Sequence, residues 1–161
     1  METSLLFIVV VAINSVAVYI QRRYKTYTKL FGRYNWIAHV ILLSVIWGAF
    51  LLGLVYLRPP EWKLPSWLHS VGLLVSIIGF LMVVMSWVRL GTIGTLNGRF
   101  FGKGQKKLLK GGLFSLRNPM YVGFALLFIA AAFWLGNAFY LWMAALSFVL
   151  LNMVQARIEN P

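Results

Sequence analysis

Residues 111–123 read Gly-Gly-Leu-Phe-Ser-Leu-Arg-Asn-Pro-Met-Tyr-Val-Gly, and they lead from a long basic loop into an apolar segment. Asparagine caps helix starts, proline suits the first helical turn, and tyrosine anchors helices at membrane interfaces. The stretch therefore predicts a helix that begins near Pro119. It also admits a functional interpretation, in which the N–H groups of this helix start and Arg117 bind an anionic group.

The composition predicts an integral membrane protein. Of the 161 residues, 61% are hydrophobic and 11% are charged, which is more apolar surface than an ordinary soluble domain can bury. A bilayer-spanning helix takes about 20 mostly apolar residues. The expected fold class is all-α, a single domain over residues 1–161 with about five transmembrane helices, the last two short and paired in a hairpin through Gly136-Asn137. The five segments are Leu5–Ile20, Trp36–Leu57, Trp67–Val88, Met120–Leu135 and Ala138–Val154.

The distribution of charge predicts the orientation. Residues 21–35 hold five Lys or Arg and residues 89–117 hold seven, whereas the loop between the second and third segments holds only Arg58 and Lys63. The positive-inside rule then places both basic loops and the C-terminus in the cytoplasm and the N-terminus outside. Because Glu2 precedes the first apolar segment and the basic residues follow it, we expect a retained anchor rather than a cleaved signal peptide. In a prokaryote the membrane would be the plasma or inner membrane.

The residue inventory excludes several kinds of chemistry. The chain has no Asp or Cys and only three Glu, which argues against paired-carboxylate hydrolysis, thiolate catalysis and carboxylate-rich metal sites. His39 and His69 should lie near opposite membrane faces, so no metal site is expected. The net charge of +12 is better explained by anionic lipid headgroups than by nucleic acid, for which no binding motif is present.

One polar residue stands out within an apolar segment. His39 should lie about one turn inside the cytoplasmic end of the second helix. Polar groups at such positions are costly and often functional. Two interpretations stay open, a hydrogen bond between helices and a role in substrate binding. The loop of residues 90–118 is also unusual, because its length and its Phe and Leu residues indicate a folded lid or cofactor platform on the cytoplasmic side.

The order of residues near the C-terminus resembles a known superfamily. Leu108-Leu109, Gly111-Gly112, Phe114, Arg117-Asn118-Pro119, Tyr121 and Gly123, then a helical hairpin and Arg157-Ile158-Glu159, are similar to the pattern of integral-membrane methyltransferases. These are the isoprenylcysteine carboxyl methyltransferase and phospholipid methyltransferase family. The resemblance is strongest over residues 90–161, and the first three helices match only in type and number. Asn118 stands where the superfamily more often has histidine.

This resemblance implies methyl transfer from S-adenosyl-L-methionine to a lipophilic or membrane-embedded acceptor, either an isoprenylcysteine-like carboxylate or a phospholipid-like group. The implied partners are the lipid bilayer and that acceptor. Cofactor binding would fall to Leu108, Leu109, Phe114, Asn118, Pro119, Met120, Tyr121 and Glu159. Catalysis would fall to Arg117 and Tyr121, and substrate binding to Arg157 and His39. The alternatives are an NADPH-dependent membrane reductase of the sterol-reductase type and a non-enzymatic membrane assembly or transport protein.

The orientation can be tested by cysteine labelling, because the chain has no native cysteine. A cysteine introduced at Lys106 should react with a membrane-impermeant maleimide only after the cells are permeabilised, since the positive-inside rule places this loop in the cytoplasm. Labelling of intact cells would contradict the predicted topology.

Overall fold

The computed structural model describes residues 2–57, 60–95, 98–101 and 119–155. Its helices, in chain order, are α1 (Glu2–Tyr24), α2 (Thr26–Phe31), α3 (Asn35–Tyr56), α4 (Leu68–Thr95), α5 (Pro119–Leu135) and α6 (Phe139–Ser147). Two 3-10 turns, Gly32–Tyr34 and Gly98–Phe101, and a π-helical continuation of α6 over Phe148–Gln155 complete the described elements. The five segments predicted from hydropathy are thus confirmed as helices.

Three described stretches are long and apolar enough to cross a membrane: Glu2–Tyr24, Thr26–Tyr56 and Leu68–Arg89. Two apolar helical stretches, Pro119–Leu135 and Phe139–Asn152, are shorter. At about 1.5 Å per residue, α5 is some 5 Å shorter than a bilayer core of about 30 Å. The described elements are therefore helical, and three stretches are candidates for membrane spans. The count of five spans and the orientation stay predictions.

The helices form a bundle with two distinct ends. The hairpin end comprises residues 57 and 60–67 and the turn between α5 and α6 at residues 136–138, where the Leu64 N–H donates to the Gly136 carbonyl. The basic end comprises residues 21–35, the 98–101 turn and the first turn of α5. α1 and α6 run from the hairpin end to the basic end, whereas α3 and α5 run in the opposite direction.

The tight turn at the hairpin end is confirmed. Gly136 has a φ of 60°, which glycine adopts at little cost. The side-chain oxygen of Asn137 accepts hydrogen bonds from the N–H groups of Trp62 and Phe139, at 3.1 and 3.0 Å. Its amide nitrogen donates to the Pro60 carbonyl at 3.0 Å. The Asn137 side chain therefore provides a hydrogen-bond acceptor for the backbone N–H at the start of α6 and also fastens the loop before α4 to the hairpin.

Glycines bring α4 and α5 close together. A Cβ atom on Gly79 would lie 3.1 Å from the Gly123 carbonyl oxygen, and one on Gly123 would lie 2.9 Å from the Gly79 carbonyl oxygen. Gly72, two turns before Gly79, faces Phe133 with equally little room. Small residues at such spacing are common where membrane helices pack tightly. This seam fixes α5, and with it the helix start at Pro119, against α4.

α1 contacts residues of α3, α5 and α6. Its Phe7 ring lies 5.2 Å from the ring of Phe50 in α3 and 5.9 Å from that of Phe128 in α5. Ser4 accepts a hydrogen bond from the indole N–H of Trp142 in α6 at 3.1 Å. The buried core cluster accordingly draws on α1, α3, α5 and α6 and on the π-helical segment: it consists of Phe7, Val10, Val11, Leu43, Ile46, Phe50, Tyr121, Phe139, Met143 and Leu151.

We expect Gly123→Ala to lower the melting temperature of the detergent-solubilised protein, because the added methyl group would press on the Gly79 backbone. Overpacking of this kind costs about 1–3 kcal/mol. Gly48→Ala is the matched control, since a Cβ atom there meets nothing within 4 Å and alanine favours helix over glycine. Equal melting temperatures for the two variants would contradict the close seam.

Candidate functional site

The structure describes four of the residues predicted to form the site, namely His39, Pro119, Met120 and Tyr121. The others lie outside the described residues, and their roles stay predictions: Leu108, Leu109, Phe114, Arg117, Asn118, Arg157 and Glu159. The site can therefore be built up from two places, the first turn of α5 and the buried end of α3.

The helix predicted to begin near Pro119 begins at that residue. Met120 packs against the core cluster and Tyr121 belongs to it, with 8% of its surface exposed. Tyr121 is therefore not the interfacial anchor that its position in the sequence suggested, because the face of α5 that carries it packs into the bundle. The first N–H groups of a helix have no partner within the helix itself, and helix starts bind anionic groups in many proteins.

His39 is completely buried, at 0% exposure. Its imidazole ring stacks on Phe101 of the 98–101 turn, with centroids 4.5 Å apart and an interplanar angle of 25°. Tyr27 of α2 packs at right angles to it, with centroids 5.9 Å apart. Neither ring nitrogen has a hydrogen-bond partner within the described chain. The described residues therefore do not form the hydrogen bond between helices that was the first interpretation of His39.

Three polar side chains hold the 98–101 turn over His39, and we call them the polar clasp: Gln21, Thr28 and Asn35. The Gln21 amide donates to the Phe100 carbonyl at 3.2 Å and to the Thr28 hydroxyl at 2.8 Å. The Asn35 amide donates to the Phe101 carbonyl at 3.2 Å and to the same hydroxyl at 2.9 Å.

The polar clasp explains how a turn at the start of the long loop comes to be buried. Phe101 is only 3% exposed, and both amides of the clasp are buried as well. Because the hydrogen bonds run from α1 and α3 to backbone carbonyls, they position the turn independently of its side chains. The start of the predicted cofactor platform is therefore fixed to the first and third helices at the basic end.

The polar clasp was not predicted from the sequence, and neither was the stacking of Phe101 on His39. One signal was available, because Asn14 and Gln21 are seven residues apart and Asn35 and His39 are four apart, so each pair lies on one face of its helix. Polar residues on one face of an apolar helix point inward to partners or to a site. No local pattern shows that Gln21 and Asn35 donate to carbonyl groups more than sixty residues away in the chain.

The described residues offer no metal site, since no three His, Cys, Asp or Glu side chains among them come together. The described carboxylates, Glu2 and Glu61, belong to the hairpin end. What the basic end supplies is an apolar interior, buried amides, an imidazole and a helix start.

A comparison with protein families identifies the chain. The model of the phospholipid methyltransferase family matches residues 67–161, from the start of α4 through α5 and α6. Because the match covers more than half of the 161 residues, the chain belongs to the phospholipid methyltransferase family. It confirms the resemblance noted in the sequence, and His39 and all three residues of the polar clasp lie outside the matched region. No curated protein and no solved structure matches the chain.

We expect Asn35→Leu to loosen the 98–101 turn, because the Phe101 carbonyl would lose its donor in a buried place. Leaving such a group unsatisfied costs about 1–3 kcal/mol. Hydrogen-exchange mass spectrometry should then show faster exchange in a peptide that contains residues 98–101. Ser44→Ala is the control, since the Ser44 hydroxyl is exposed and bonds only to the Val40 carbonyl of its own helix. Unchanged protection in Asn35→Leu would show that the clasp does not hold the turn.

Proposed function

We propose that this member of the phospholipid methyltransferase family transfers a methyl group from S-adenosyl-L-methionine to a lipophilic acceptor in the membrane. The match over residues 67–161 carries the proposal, because it contains the Arg117-Asn118-Pro119-Met120-Tyr121 block from which α5 starts. The family supports an enzyme that methylates a membrane lipid. The cofactor and the acceptor are the proposed part.

The cofactor would supply an activated methyl group bound to a positively charged sulfur. The first turn of α5 and Arg117 would bind its carboxylate, since helix N–H groups and a guanidinium both favour an anion. The apolar side chains of Leu108, Leu109 and Phe114 would cover its adenine, with Asn118, Pro119 and Met120 beside them. Glu159 would accept hydrogen bonds from its ribose hydroxyl groups.

The described residues fit such a cofactor in one respect that can be observed. Tyr121 and Met120 connect the helix start to the buried core cluster, so a group bound there would reach an interior made of apolar side chains. Methyl transfer from a sulfonium depends on alignment and on a dry site more than on an acid–base pair. Tyr121 would align the reacting groups from the side of the core.

The acceptor would approach from the lipid and meet the cofactor at the basic end. Arg157 would orient an anionic group of the acceptor through paired hydrogen bonds. His39 would contact its polar headgroup, since it is the described buried side chain with both ring nitrogens lacking partners. A carboxylate acceptor would need only this positioning, whereas an amine would also have to lose a proton.

We expect S-adenosylhomocysteine to raise the melting temperature of the purified protein, because a ligand that binds only the folded state stabilises it by mass action. Glu159→Ala should weaken this ligand at least about tenfold, as losing a charge-assisted hydrogen bond costs about 1.5–3 kcal/mol. Lys63→Ala, at the opposite end of the bundle, should leave the affinity unchanged.

Two results would contradict the proposed cofactor. A thermal shift with NADPH and none with S-adenosylhomocysteine would indicate the reductase, and no shift with either ligand at saturating concentration would favour a non-enzymatic protein. An affinity for S-adenosylhomocysteine within twofold of wild type in Glu159→Ala would remove Glu159 from the cofactor site.

A further inference from the structure

The connection between α1 and α3 carries three exposed cations, which we call the basic row: Lys25, Lys29 and Arg33. They follow one another at intervals of four residues. The Lys29 N–H donates to the Lys25 carbonyl at 2.9 Å, so the two lysines lie on successive turns. Like charges at this spacing repel each other. Because the described carboxylates, Glu2 and Glu61, belong to the hairpin end, this repulsion favours an anionic partner from outside the described chain.

Two residues with positive φ separate α2 from the helices on either side of it. Lys25 has a φ of 53° before α2, and Gly32 has a φ of 51° after it. Glycine adopts such angles at little cost, whereas lysine does not. α2 is thus a separate short helix between α1 and α3, which are apolar and long enough to cross a membrane. A connection between two such helices lies at the surface of the bilayer.

Two large apolar side chains are exposed beside the basic row. Leu30 is 71% exposed and Phe31 is 47% exposed, although both belong to α2. Apolar side chains interleaved with Lys and Arg are typical of segments that lie in the headgroup layer, where the cations contact phosphates and the apolar groups reach the acyl chains. The combination therefore fits the surface of an anionic bilayer better than a soluble polyanion.

The last cation of the basic row is held in a defined position. The Arg33 guanidinium lies over the ring of Tyr34, 4.8 Å from its centroid, and donates to the Tyr34 hydroxyl at 2.6 Å. A guanidinium carries five N–H donors in a planar fork that matches a phosphate. Since both residues are exposed, the contact orients the charge at the surface without burying it.

The polar clasp connects α2 to the 98–101 turn. The Thr28 hydroxyl accepts hydrogen bonds from the amides of Gln21 and Asn35, at 2.8 and 2.9 Å. The same two amides donate to the carbonyls of Phe100 and Phe101. The Thr28 N–H in turn donates to the side-chain oxygen of Gln21 at 3.3 Å. The position of α2 and the position of the turn therefore depend on one shared hydroxyl group.

Tyr27 gives α2 a second contact with the same turn. Its ring lies edge-on to the rings of Phe101 and His39, with centroids 5.4 and 5.9 Å away. No residue of α2 is buried. The helix is therefore held by the polar clasp, by this aromatic contact and by whatever covers its outer side.

We infer that the outer side of α2 docks on anionic lipid headgroups and that this docking holds the 98–101 turn in place. The docking face consists of the basic row with Leu30 and Phe31. Lipid phosphates relieve the repulsion within the row, and the two apolar side chains enter the boundary with the acyl chains. In a neutral bilayer α2 loosens, and the turn loosens with it through Thr28. The charge of the membrane surface thus controls the start of the predicted cofactor platform.

The test uses the full-length protein in nanodiscs of dioleoylphosphatidylcholine, alone or in an equal mixture with dioleoylphosphatidylglycerol. Because the chain has no native cysteine, an NBD fluorophore can be attached to Leu30→Cys as a docking reporter. Its emission should shift to the blue only in the anionic discs, and high salt should reverse the shift by screening the charges. In the unlabelled protein, hydrogen exchange in a peptide containing residues 98–101 should be at least about threefold slower in the anionic discs.

Variants separate docking from its effect on the turn. The triple variant Lys25→Gln, Lys29→Gln and Arg33→Gln should show the same exchange rate in both kinds of disc. Lys63→Gln removes a cation at the hairpin end and should keep the lipid dependence of wild type. Thr28→Val keeps the docking face but lacks the shared hydroxyl, so the reporter should still shift in anionic discs while the exchange of residues 98–101 no longer responds to the lipid.

Four results would overturn the inference. Equal emission and exchange in the two kinds of disc would show that anionic lipid does not dock. A blue shift of equal size in both would show that apolar anchoring alone suffices. A lipid dependence that survives in the triple variant would place the lipid elsewhere, and one that survives in Thr28→Val would remove the coupling. Neither readout uses a methyl donor, so each of these results leaves the proposed function standing.

Discussion

The structure depends on how polar side chains are satisfied inside an apolar bundle. Burying a polar group costs free energy unless a partner meets it, and membrane-spanning helices have no water to supply one. At the hairpin end, Asn137 meets this requirement with backbone groups of the loop before α4. At the basic end, the polar clasp meets it with the carbonyls of the 98–101 turn. Other buried polar atoms have no partner within the described chain: the side-chain oxygens of Asn14 and Ser15, both ring nitrogens of His39 and the side-chain nitrogen of Asn152.

This contrast gives the two kinds of polar residue different roles. The side chains of three residues stabilise the bundle by fastening loops to helices: Asn137, Gln21 and Asn35. Replacing any of them should lower the stability of the fold. Asn14, His39 and Asn152 bury polar atoms that have no partner within the described chain, which costs free energy. The phospholipid methyltransferase family of the chain supports an enzyme that methylates a membrane lipid.

The local sequence predicted much of the fold and only part of the site. Local chemistry predicted the helix start at Pro119, the turn at Gly136-Asn137 and the apolar helices. The structure contains all of these features. The short helix α2 and the π-helical segment were not predicted, because neither is marked by a change in hydropathy. The burial of Tyr121 was missed as well. A tyrosine at a helix start looks the same in sequence whether α5 turns it outward or packs it against α1, and only the close contact with α4 decides between them.

The central claim is the proposal that this member of the phospholipid methyltransferase family methylates a lipophilic acceptor in the membrane. The most direct measurement incubates the purified protein with methyl-labelled S-adenosyl-L-methionine and a total membrane lipid extract, and identifies the labelled species by mass spectrometry. The account predicts methyl label on a membrane lipid, and none when the cofactor is replaced by S-adenosylhomocysteine. No labelled lipid from a protein that S-adenosylhomocysteine stabilises would contradict it.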